Sequence, residues 1–438
     1  MSNLALLGGD KTVTIDSGSA ALPVVSEEAI AKVVELCRKG EISTSPLVHE
    51  FEETCKQYTG TQYAIATNSG TSALHEALFA IGVSPGDEVL VPSYTWIFTV
   101  APVIANHGVP VFCEVDIDTD TIDPADVEKK ITPRSKAILL VHTWGNPADM
   151  DAILVLAKKY NLKVIEDCAH AHGTMWKDKK VGFVGDVGCY SFQGSKPIVA
   201  GEGGMLVTNN REYYERACAL GHYERVSGFP DESPYKKYNT SLGMKHRAHP
   251  LGIAITSVDF KYLEERNNIR RENGLYLDNA VKDIKCVIPV KTYENGLRQY
   301  SYHYARYDET ALDGIAMPTF LRAMKAEGAA IGVGGYGYLH EAPFFVERDH
   351  YGNGCPGKCP HAVDTTGQIV SLPKTEYLRT RSFMMGPRFE TDCRDLIDQY
   401  IAAYHKVTAN VGELHKYEKD NDVKNTETAS SMRSINLL

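Results

Sequence analysis

Short apolar runs alternate with amphipathic stretches along the first half of the chain. The apolar runs predict β-strands, because each is bounded by turn-forming residues, and the stretches between them repeat at the helical period. Alternation of this kind predicts an α/β fold with a mostly parallel, wound sheet. The predicted strands are 63–68, 88–91, 110–115, 136–141 and 162–166, and the predicted helices lie near 71–82, 95–107, 122–130 and 149–160.

The pattern changes after about residue 206. Charged helical stretches such as Val258 to Asn279 predict a crossover into a second domain, and short mixed segments follow. We therefore predict a large domain over 1–279 and a smaller C-terminal α+β domain over 280–412. Residues 413–438 are polar and hold too few apolar side chains to pack, which predicts a disordered tail.

Composition restricts the class of protein. The 438 residues are 43% hydrophobic, enough to build the cores of two domains. The chain has no run of 18 apolar residues and no N-terminal signal segment, which predicts a cytoplasmic protein that does not enter a membrane. The net charge is −10 and no basic stripe occurs, so nucleic-acid binding is not expected.

The ten cysteines are scattered without a disulfide framework, as expected for reduced thiols. One cluster, Cys355-Pro-Gly-Lys-Cys-Pro-His361, raises the question of zinc. Its spacing is unlike that of common ligand pairs, and no second pair follows. We predict a structural loop at this place and no metal site in the chain.

The segment from Cys189 to Gly204 has a single lysine, Lys196, in the order Cys-Tyr-Ser-Phe-Gln-Gly-Ser-Lys-Pro-Ile-Val-Ala-Gly-Glu-Gly-Gly. Residues 190–192 predict the end of a buried strand, and residues 205–208 predict the next strand. The glycines between them allow the backbone to approach a bulky group. A lysine in such a pocket is partly removed from water, which favours the neutral, nucleophilic amine that a Schiff base to an aldehyde cofactor requires. The alternative is a solvated lysine on a Gly-rich turn.

A carboxylate follows an apolar strand in Leu162-Lys-Val-Ile-Glu-Asp-Cys-Ala-His-Ala-His-Gly173. Asp167 stands where a parallel strand would meet its loop, and ligands of open α/β sheets bind at the carboxyl ends of the strands. An aspartate there can pair with the protonated ring nitrogen of pyridoxal phosphate. A helix N-cap is the alternative role, but together with Lys196 the cofactor role is favoured.

A third segment, residues 63–78, predicts a short strand, a turn of small residues and an amphipathic helix. The helix would begin at Gly70, Thr71 and Ser72, where free amides, hydroxyl groups and the positive end of the helix dipole suit a phosphate. The segment lacks the lysine of a Walker loop and the glycine spacing of a dinucleotide fingerprint. Taken alone, it predicts no more than a turn and a helix cap.

With these segments in place, the chain resembles the DegT-type sugar aminotransferases, which are fold-type I enzymes that use pyridoxal 5′-phosphate. The resemblance runs from about Glu50 to Leu372, and the motifs match in order and spacing. The motifs are Glu50-Phe-Glu, Asn68-Ser-Gly-Thr-Ser-Ala-Leu, Pro92-Ser-Tyr-Thr-Trp, Val141-His-Thr-Trp-Gly, Glu166-Asp-Cys-Ala-His-Ala-His-Gly and Ser191-Phe-Gln-Gly-Ser-Lys.

The resemblance implies a role for each matching residue. Lys196 would form the Schiff base, and Asp167 would hold the pyridine nitrogen. Trp96 would stack on the ring of the cofactor, although its position in the sequence fits a core tryptophan equally well. The remaining cofactor-binding residues implied by the resemblance are the phosphate ligands Thr71, Ser72 and Ser191.

Two residues depart from the pattern of the family. His170 stands where many members have glutamine, and an imidazole can still hydrogen-bond the phenolic oxygen of the cofactor. Lys245 stands where many members have an asparagine that reaches the phosphate of the neighbouring subunit, and lysine also binds phosphate. The resemblance therefore implies a homodimer with shared active sites, whereas a solvated basic patch is the alternative for Lys245.

The activity that the resemblance implies is transfer of an amino group from glutamate or glutamine to the carbonyl of a sugar or cyclitol. The segment Gly332 to Phe345 resembles the substrate-side loop of the family, where Tyr336, Tyr338 and His340 could contact hydroxyl groups or could simply pack. The most specific expectation is the C8 aldehyde of 3-deoxy-manno-octulosonate, which would give the lipopolysaccharide sugar 8-amino-3,8-dideoxy-manno-octulosonate. A keto-cyclitol (inosose) and a nucleotide-linked keto-sugar are the alternatives.

Two further functions use the same fold. The dehydratases of the family carry histidine at the Schiff-base position, so Lys196 argues against dehydration. A non-catalytic regulator would need a DNA-binding module, and the sequence contains no helix-turn-helix pattern or basic extension. The sequence therefore favours a transaminase.

Overall fold

The computed structural model describes residues 2–21, 25–237, 242–356, 358, 360–361, 364 and 367–421. The strands of the first half are β1 (Tyr63–Thr67), β2 (Glu88–Pro92), β3 (Val109–Cys113), β4 (Ser135–Val141), β5 (Lys163–Asp167), β6 (Met175–Trp176), β7 (Lys179–Lys180), β8 (Val187–Ser191) and β9 (Gly204–Thr208). Those that follow are β10 (Val287–Pro289), β11 (Gly296–Leu297), β12 (Tyr304–Tyr307), β13 (Gly332–Val333) and β14 (Ser382–Met384).

Helices flank these strands. The first group comprises α1 (Glu27–Lys39), α2 (Pro46–Thr59), α3 (Gly70–Ala80), α4 (Ile97–Ala105), α5 (Pro124–Lys130), α6 (Met150–Tyr160), α7 (Arg211–Gly221) and α8 (Tyr223–Val226). The second group comprises α9 (Pro250–Asp259), α10 (Leu263–Val281), α11 (Met317–Ala326), α12 (Pro343–Glu347), α13 (Pro373–Arg381), α14 (Arg394–Ala409) and α15 (Val411–Asp420). Among the described residues, no helix is both long and apolar enough to cross a bilayer.

Seven strands form the central sheet in the order β1-β9-β8-β5-β4-β2-β3. Only β9 runs antiparallel to its neighbours, so the sheet is mostly parallel, and the α/β prediction is confirmed. Strand β4 shows why both faces are covered: Ile138 and Leu140 pack into one core, and Ala137 and Leu139 pack into another. Successive side chains of a strand point to opposite faces, so a strand buried on both sides has a continuous apolar sequence.

The predicted strands and helices of the first half are present within a few residues of the predicted bounds. Helix α4 is shorter than predicted, because Trp96 lies at its N-cap in an extended conformation and Asn106 ends it. The crossover predicted near residues 258–279 corresponds to α9 and α10.

A second core lies around the four-stranded sheet β10-β12-β14-β13. Phe320 and Tyr404 lie in this core, and so do Leu4, Val13 and Ala20 from the N-terminus. The division of the chain at residues 279 and 280 stays a prediction, and the structure adds that the N-terminal segment packs with the C-terminal core.

The segment between β13 and β14 packs against the large sheet, whereas the N-terminal segment packs with the C-terminal core. Its residues Leu339, Phe345 and Leu372 pack into a core of the large sheet rather than into the core around β14. The chain therefore leaves the small sheet after β13, crosses the large domain, and returns at β14.

The predicted tail is wrong for its first residues. Helix α15 covers Val411–Asp420, its Leu414 is fully buried, and the carboxylate of Glu413 accepts hydrogen bonds from the backbone amides of Asn3 and Leu4 at 2.9 and 3.0 Å. One buried leucine and a capped N-terminal segment are enough to dock a helix that is otherwise polar. The rest of the predicted tail, 422–438, lies outside the described residues.

Candidate active site

A cavity of about 590 Å³ opens at the carboxyl ends of the central strands. Val141, Asp167 and Ser191 line it, and they are the last residues of β4, β5 and β8. Ligands of open α/β sheets bind at this edge, and the volume falls within the roughly 300–1,000 Å³ of sites for small molecules. The other lining residues described below reach this edge from the loops and from the small domain.

Lys196 lies in the loop between β8 and β9 and lines the cavity. Its side chain is half-buried, and within the described part of the chain its Nζ makes no hydrogen bond or ion pair. The backbone around it is fixed, because Arg388 donates to the carbonyl oxygens of Ser195 and Lys196 at 2.9 and 3.2 Å. The backbone of Lys196 is therefore fixed, and its amine is free to react with a ligand in the cavity.

Asp167 is 3% exposed at the floor of the cavity. Its Oδ2 accepts from the hydroxyl of Thr99 at 2.8 Å, and its Oδ1 accepts from the amide of Ala169 at 3.0 Å. Burial raises the pKa of Asp167, whereas these two donors and the charge of Lys196 favour the ionised form. The carboxylate closes a turn and does not cap a helix, so it can accept a further hydrogen bond from a cationic ring.

The N-terminus of α3 enters the cavity through Gly70 and Thr71. The first amides of a helix have no partner within it, and here Ser69 caps only the amide of Ser72, at 3.1 Å. Close packing makes this corner specific: a Cβ added to Gly70 would lie 2.7 Å from the Cβ of Ser191. The amides and hydroxyl groups of Thr71 and Ser191 thus meet in one small cradle that suits an anion.

Ser72 faces away from this cradle. Its hydroxyl donates to Oδ1 of Asn68 at 2.6 Å and lies 3.0 Å from the hydroxyl of Ser69, and the residue does not line the cavity. A phosphate contact by Ser72 would require a different rotamer of its side chain.

His170 forms one wall of the cavity within an aromatic stack. Its ring lies 5.5 Å from that of Trp144, at an interplanar angle of 11°, and Tyr336 packs 4.7 Å from Trp144 on the same stack. The hydroxyl of Tyr336 lies 3.4 Å from Nδ1 of His170. Burial and the charge of nearby Lys196 hold the pKa of His170 well below its usual value, so the imidazole is neutral at physiological pH.

The stack depends on a strained residue. Trp144 has φ 58° and ψ 16°, a left-handed conformation that is costly for a bulky side chain. Its indole N–H donates to Asp120 at 3.1 Å, and burial raises the pKa of that carboxyl to about 7. Such strain persists where the surrounding packing fixes the residue, and here the strained residue carries the ring on which His170 stacks.

Trp96 lies at the opposite rim of the cavity. It is 49% exposed, next to Phe98 at 50%, with ring centroids 6.1 Å apart. The interpretation of Trp96 as a core tryptophan is therefore wrong. Two large exposed aromatic rings at the mouth of a cavity are available to a ligand or to another chain.

Three residues predicted for the site lie elsewhere. Tyr338 and His340 do not line the cavity: the Tyr338 hydroxyl donates to the carbonyl of Glu376 at 3.2 Å, and His340 contacts Ser93. Their contact with substrate stays a prediction: here the chain turns at residues 337–341 and both side chains pack behind Tyr336, the alternative that the sequence left open. Lys245 is exposed and also outside the cavity of its own chain.

Other lining residues escaped the sequence analysis. Tyr302 and Tyr304 line the cavity from the small domain, and Arg388 packs 5.5 Å from the ring of Tyr302. The signal for the tyrosines was the alternation Tyr300-Ser-Tyr-His-Tyr304, which puts aromatic rings at every second residue. Trp144 belongs to the motif Val141-His-Thr-Trp-Gly, but its position in the sequence indicated no role for it.

The cysteine cluster predicted to be a structural loop is only partly described, because Cys359 lies outside the described residues. Cys355 is half-buried and its thiol is free. The prediction of a structural loop therefore stays a prediction.

The sequence model of the DegT/DnrJ/EryC1/StrS aminotransferase family matches residues 23–383. The chain belongs to this family. It is thus an aminotransferase, and its cofactor is pyridoxal 5′-phosphate. The residues on the floor of the cavity fit that cofactor: the N-terminal amides of α3 packed against Ser191, a buried carboxyl group, and a lysine amine without a partner in the described chain.

Similar proteins agree with this assignment. A Micromonospora echinospora protein, provisionally named L-glutamine:3-amino-2,3-dideoxy-scyllo-inosose aminotransferase, is 31% identical over 94% of this chain and 99% of its own. The aminotransferase of Psychrobacter cryohalolentis has a structure that superimposes with a TM-score of 0.77, at 26% identity over 90% of this chain and 99% of its own.

A third neighbour shows the fold alone. It is the E. coli GDP-4-keto-6-deoxy-D-mannose-3-dehydratase with bound hydrated PLP, which is 19% identical over 88% of this chain and 98% of its own, with a TM-score of 0.76. The fold is thus shared between aminotransferases of this family and a dehydratase that holds the same cofactor.

Proposed function

We propose that this aminotransferase uses Lys196 and Asp167 as its catalytic pair. Pyridoxal phosphate supplies an electron sink for the bond to the α-hydrogen of the donor. Asp167, when ionised, would favour a positive charge on the ring nitrogen, and the corner formed by Gly70, Thr71 and Ser191 would receive the phosphate. The Nζ of Lys196, once free of the cofactor, is the base that takes and returns the proton.

We further propose that the acceptor is a free polyhydroxylated carbonyl compound rather than a nucleotide-linked hexose. The observation that carries this is the aromatic wall of the cavity, built by His170, Trp144, Tyr302, Tyr304 and Tyr336. Aromatic faces and a few fixed hydroxyl groups suit a compact ring or chain of hydroxyl groups. Within this wall, the contact between the hydroxyl of Tyr336 and Nδ1 of His170 orients the ring of Tyr336.

The first candidate acceptor is the C8 aldehyde of 3-deoxy-manno-octulosonate, which would give a lipopolysaccharide sugar. Arg388 supports an acidic acceptor, because its guanidinium lies beside Lys196 and Tyr302 and is 26% exposed, with Glu390 at 3.4 Å as its present carboxylate partner. The donor, glutamate or glutamine, also carries a carboxylate, and the two substrates occupy the site in turn. One arginine can therefore serve both.

The second candidate acceptor is a keto-cyclitol with glutamine as donor. It is favoured by the likeness to the Micromonospora protein, which extends over nearly the whole of both chains. A keto-cyclitol has no carboxylate, so this candidate needs Arg388 only for the amino donor. The two candidates thus differ in what the loss of Arg388 should do.

The test separates the two halves of the reaction. The holoenzyme is converted with ¹⁵N-labelled glutamate or glutamine, freed of donor, and mixed in single turnovers with the octulosonate aldehyde, scyllo-inosose or a dTDP-linked keto-hexose. We expect label in a free sugar or cyclitol at a rate at least ~100-fold above the nucleotide-linked compound. Arg388→Gln should slow the acceptor step with the octulosonate more than that with inosose, because any disturbance of the Lys196 loop, whose carbonyl oxygens Arg388 binds, is common to both acceptors. Fast transfer to the nucleotide-linked sugar alone would contradict the proposal.

We also propose that the protein is a homodimer whose subunits share their active sites. We propose the reducing cytoplasm as its location. Lys245 is exposed and directly follows Met244, which is 46% exposed, and Leu242, which is 48% exposed, precedes both. Together with Trp96 and Phe98 at the rim, these side chains offer apolar surface that a second chain would cover. The described cysteines are all free, as expected where thiols stay reduced.

A further inference from the structure

His340 is a buried histidine with one ring nitrogen left without a hydrogen bond. It lies in a short 3-10 helix, Leu339–Glu341, and its side chain is 0% exposed. Its Nδ1 lies 2.7 Å from the hydroxyl oxygen of Ser93. Its Nε2 has no hydrogen-bond partner within the described part of the chain. An unmet buried polar atom costs roughly 1–3 kcal/mol, so such an atom calls for a partner.

Two carboxylates face this nitrogen. Oε1 of Glu376 lies 3.8 Å from Nε2 of His340, and Oε1 of Glu341 lies 3.9 Å from it. These distances are too long for hydrogen bonds but allow one ion between the three groups. The glutamate side chains are 39% and 43% exposed, so the cluster opens to solvent on the side of the carboxylates.

A second cluster in the same protein shows what a complete network looks like. Nδ1 of His142 accepts from the amide of Ala148 at 3.1 Å, so its Nε2 carries the proton and donates to Glu166 at 2.9 Å. Glu166 also accepts from the amides of Gly182 and Gly185. Every polar atom of that pair has a partner, and no ligand is needed there. In the cluster at His340, by contrast, Nε2 of the imidazole has no hydrogen-bond partner within the described chain.

We propose that His340, Glu341 and Glu376 bind one divalent transition-metal ion, with Zn²⁺ as the best match. One imidazole nitrogen and two carboxylate oxygens suit Zn²⁺, and solvent can supply the fourth ligand. Tetrahedral bonds of about 2.0–2.1 Å place neighbouring ligand atoms about 3.3 Å apart. The three ligand atoms lie within 4.8 Å of one another, so the two exposed glutamate side chains would have to close in on the ion by a change of side-chain torsion. The Ser93 hydroxyl would accept a hydrogen bond from Nδ1–H and fix the tautomer, as partners of metal-bound histidines do.

The ion would join two ends of the segment between β13 and β14, since His340 and Glu341 lie near its start and Glu376 lies on α13 near its end. Ser93, which follows β2, is already in contact with His340. The same segment carries Tyr336, whose hydroxyl contacts His170 in the cavity. A bound ion would thus hold the segment behind the wall of the active site. Its role is structural, since none of its three ligands lines the cavity.

Zinc titration of the tag-free holoenzyme tests the site. Protein with bound pyridoxal phosphate is freed of metal by chelator and dialysis, and Zn²⁺ binding and the thermal midpoint are then measured. We expect the wild type to bind one Zn²⁺ per chain and to gain thermal stability from it. The double variant Glu341→Gln/Glu376→Gln should bind Zn²⁺ at least ten-fold more weakly, and its thermal midpoint should not change with Zn²⁺. The matched control is Glu347→Gln, which removes an exposed carboxylate on the neighbouring helix α12 and should bind as the wild type does.

Each other outcome overturns the proposal. Binding that is equal in the wild type and the double variant places the ion elsewhere, and the absence of binding at millimolar Zn²⁺ rules out the site. X-ray absorption at the zinc edge gives a separate answer: nitrogen and oxygen neighbours alone agree with the proposal. A shell that contains sulfur assigns the ion to thiols such as Cys355 and contradicts it. The glutamate variants are preferred to His340→Asn, because loss of the buried ring could itself unfold the protein.

Discussion

The floor of the active-site cavity comes from the ends of sheet strands and the turns beside them, whereas its aromatic wall is assembled from distant segments. Asp167, Ser191 and Lys196 lie within 30 residues of one another, on or next to β5 and β8. Trp144 and Tyr336 lie almost 200 residues apart and meet only through packing. We infer that the floor sets the reaction and the wall sets the acceptor.

Removal of Lys196 should have the largest effect. Lys196→Ala should lose the visible absorbance of lysine-bound cofactor and lower turnover by about 10³-fold or more, because both the anchor and the base are gone. Absorbance spectra and steady-state rates measure this. Lys158→Ala, which removes an exposed lysine of α6 outside the cavity, is the control. Multiple turnovers with glutamate in the Lys196 variant would refute the role of this residue in the floor.

Asp167→Asn should have the next largest effect on the rate. It keeps the shape of the side chain and removes the charge, and should slow the half-reaction with the donor about 10²- to 10³-fold. Single-turnover mixing with glutamate measures this rate. Thr99→Val is the comparison, because it removes only the hydroxyl that donates to Asp167 at 2.8 Å and keeps the carboxylate. If the donor half-reaction of Asp167→Asn stays near the wild-type rate, the carboxylate serves only to close its turn.

The floor should also be shared between chains. If Lys245 contacts the phosphate of the neighbouring subunit, inactive Lys196→Ala chains mixed with inactive Lys245→Ala chains should regain about a quarter of wild-type activity, because random exchange leaves one complete site in each mixed dimer. The assay needs subunit exchange, which mass spectrometry of the mixture verifies. Mixed dimers without any activity would place Lys245 outside the site of its partner.

The smallest effect should come from the wall. Tyr336→Phe removes the hydroxyl that lies 3.4 Å from His170, and we expect a loss of about 3- to 10-fold confined to the acceptor half-reaction. Tyr338→Phe is the matched control, since its hydroxyl bonds to the carbonyl of Glu376 outside the cavity. Equal losses in both half-reactions of Tyr336→Phe would show that wall and floor are not separable.

Local pattern was sufficient for the parts that depend on neighbours in the sequence. The alternation of apolar runs predicted the strands around the sheet, and the position of Asp167 after an apolar run placed it at the edge where ligands bind. The strand-to-helix turn at Gly70 was likewise found from its small residues. In each case the signal spans fewer than about 15 residues, the range over which period and capping act.

Residues that act through long-range packing were missed or misplaced. Tyr336, Tyr338 and His340 share one segment with similar residue types, yet only the first faces the cavity. Nothing in their spacing shows which way each ring turns, because the direction is set by contacts with Trp144, Ser93 and α13. The same holds for Leu414, whose burial depends on the N-terminal segment.

The sequence by itself determined the α/β class, the lysine and aspartate of the floor, and the family to which the chain is similar, because strand period, turn chemistry and motif order are local properties. Only the tertiary structure decided which tyrosines form the wall, how Trp144 is held in a strained conformation, and that His340 meets two carboxylates. Trp144 and the tyrosines are far apart in the chain, and Glu376 follows His340 by 36 residues, so their proximity is fixed by tertiary packing rather than by a local pattern.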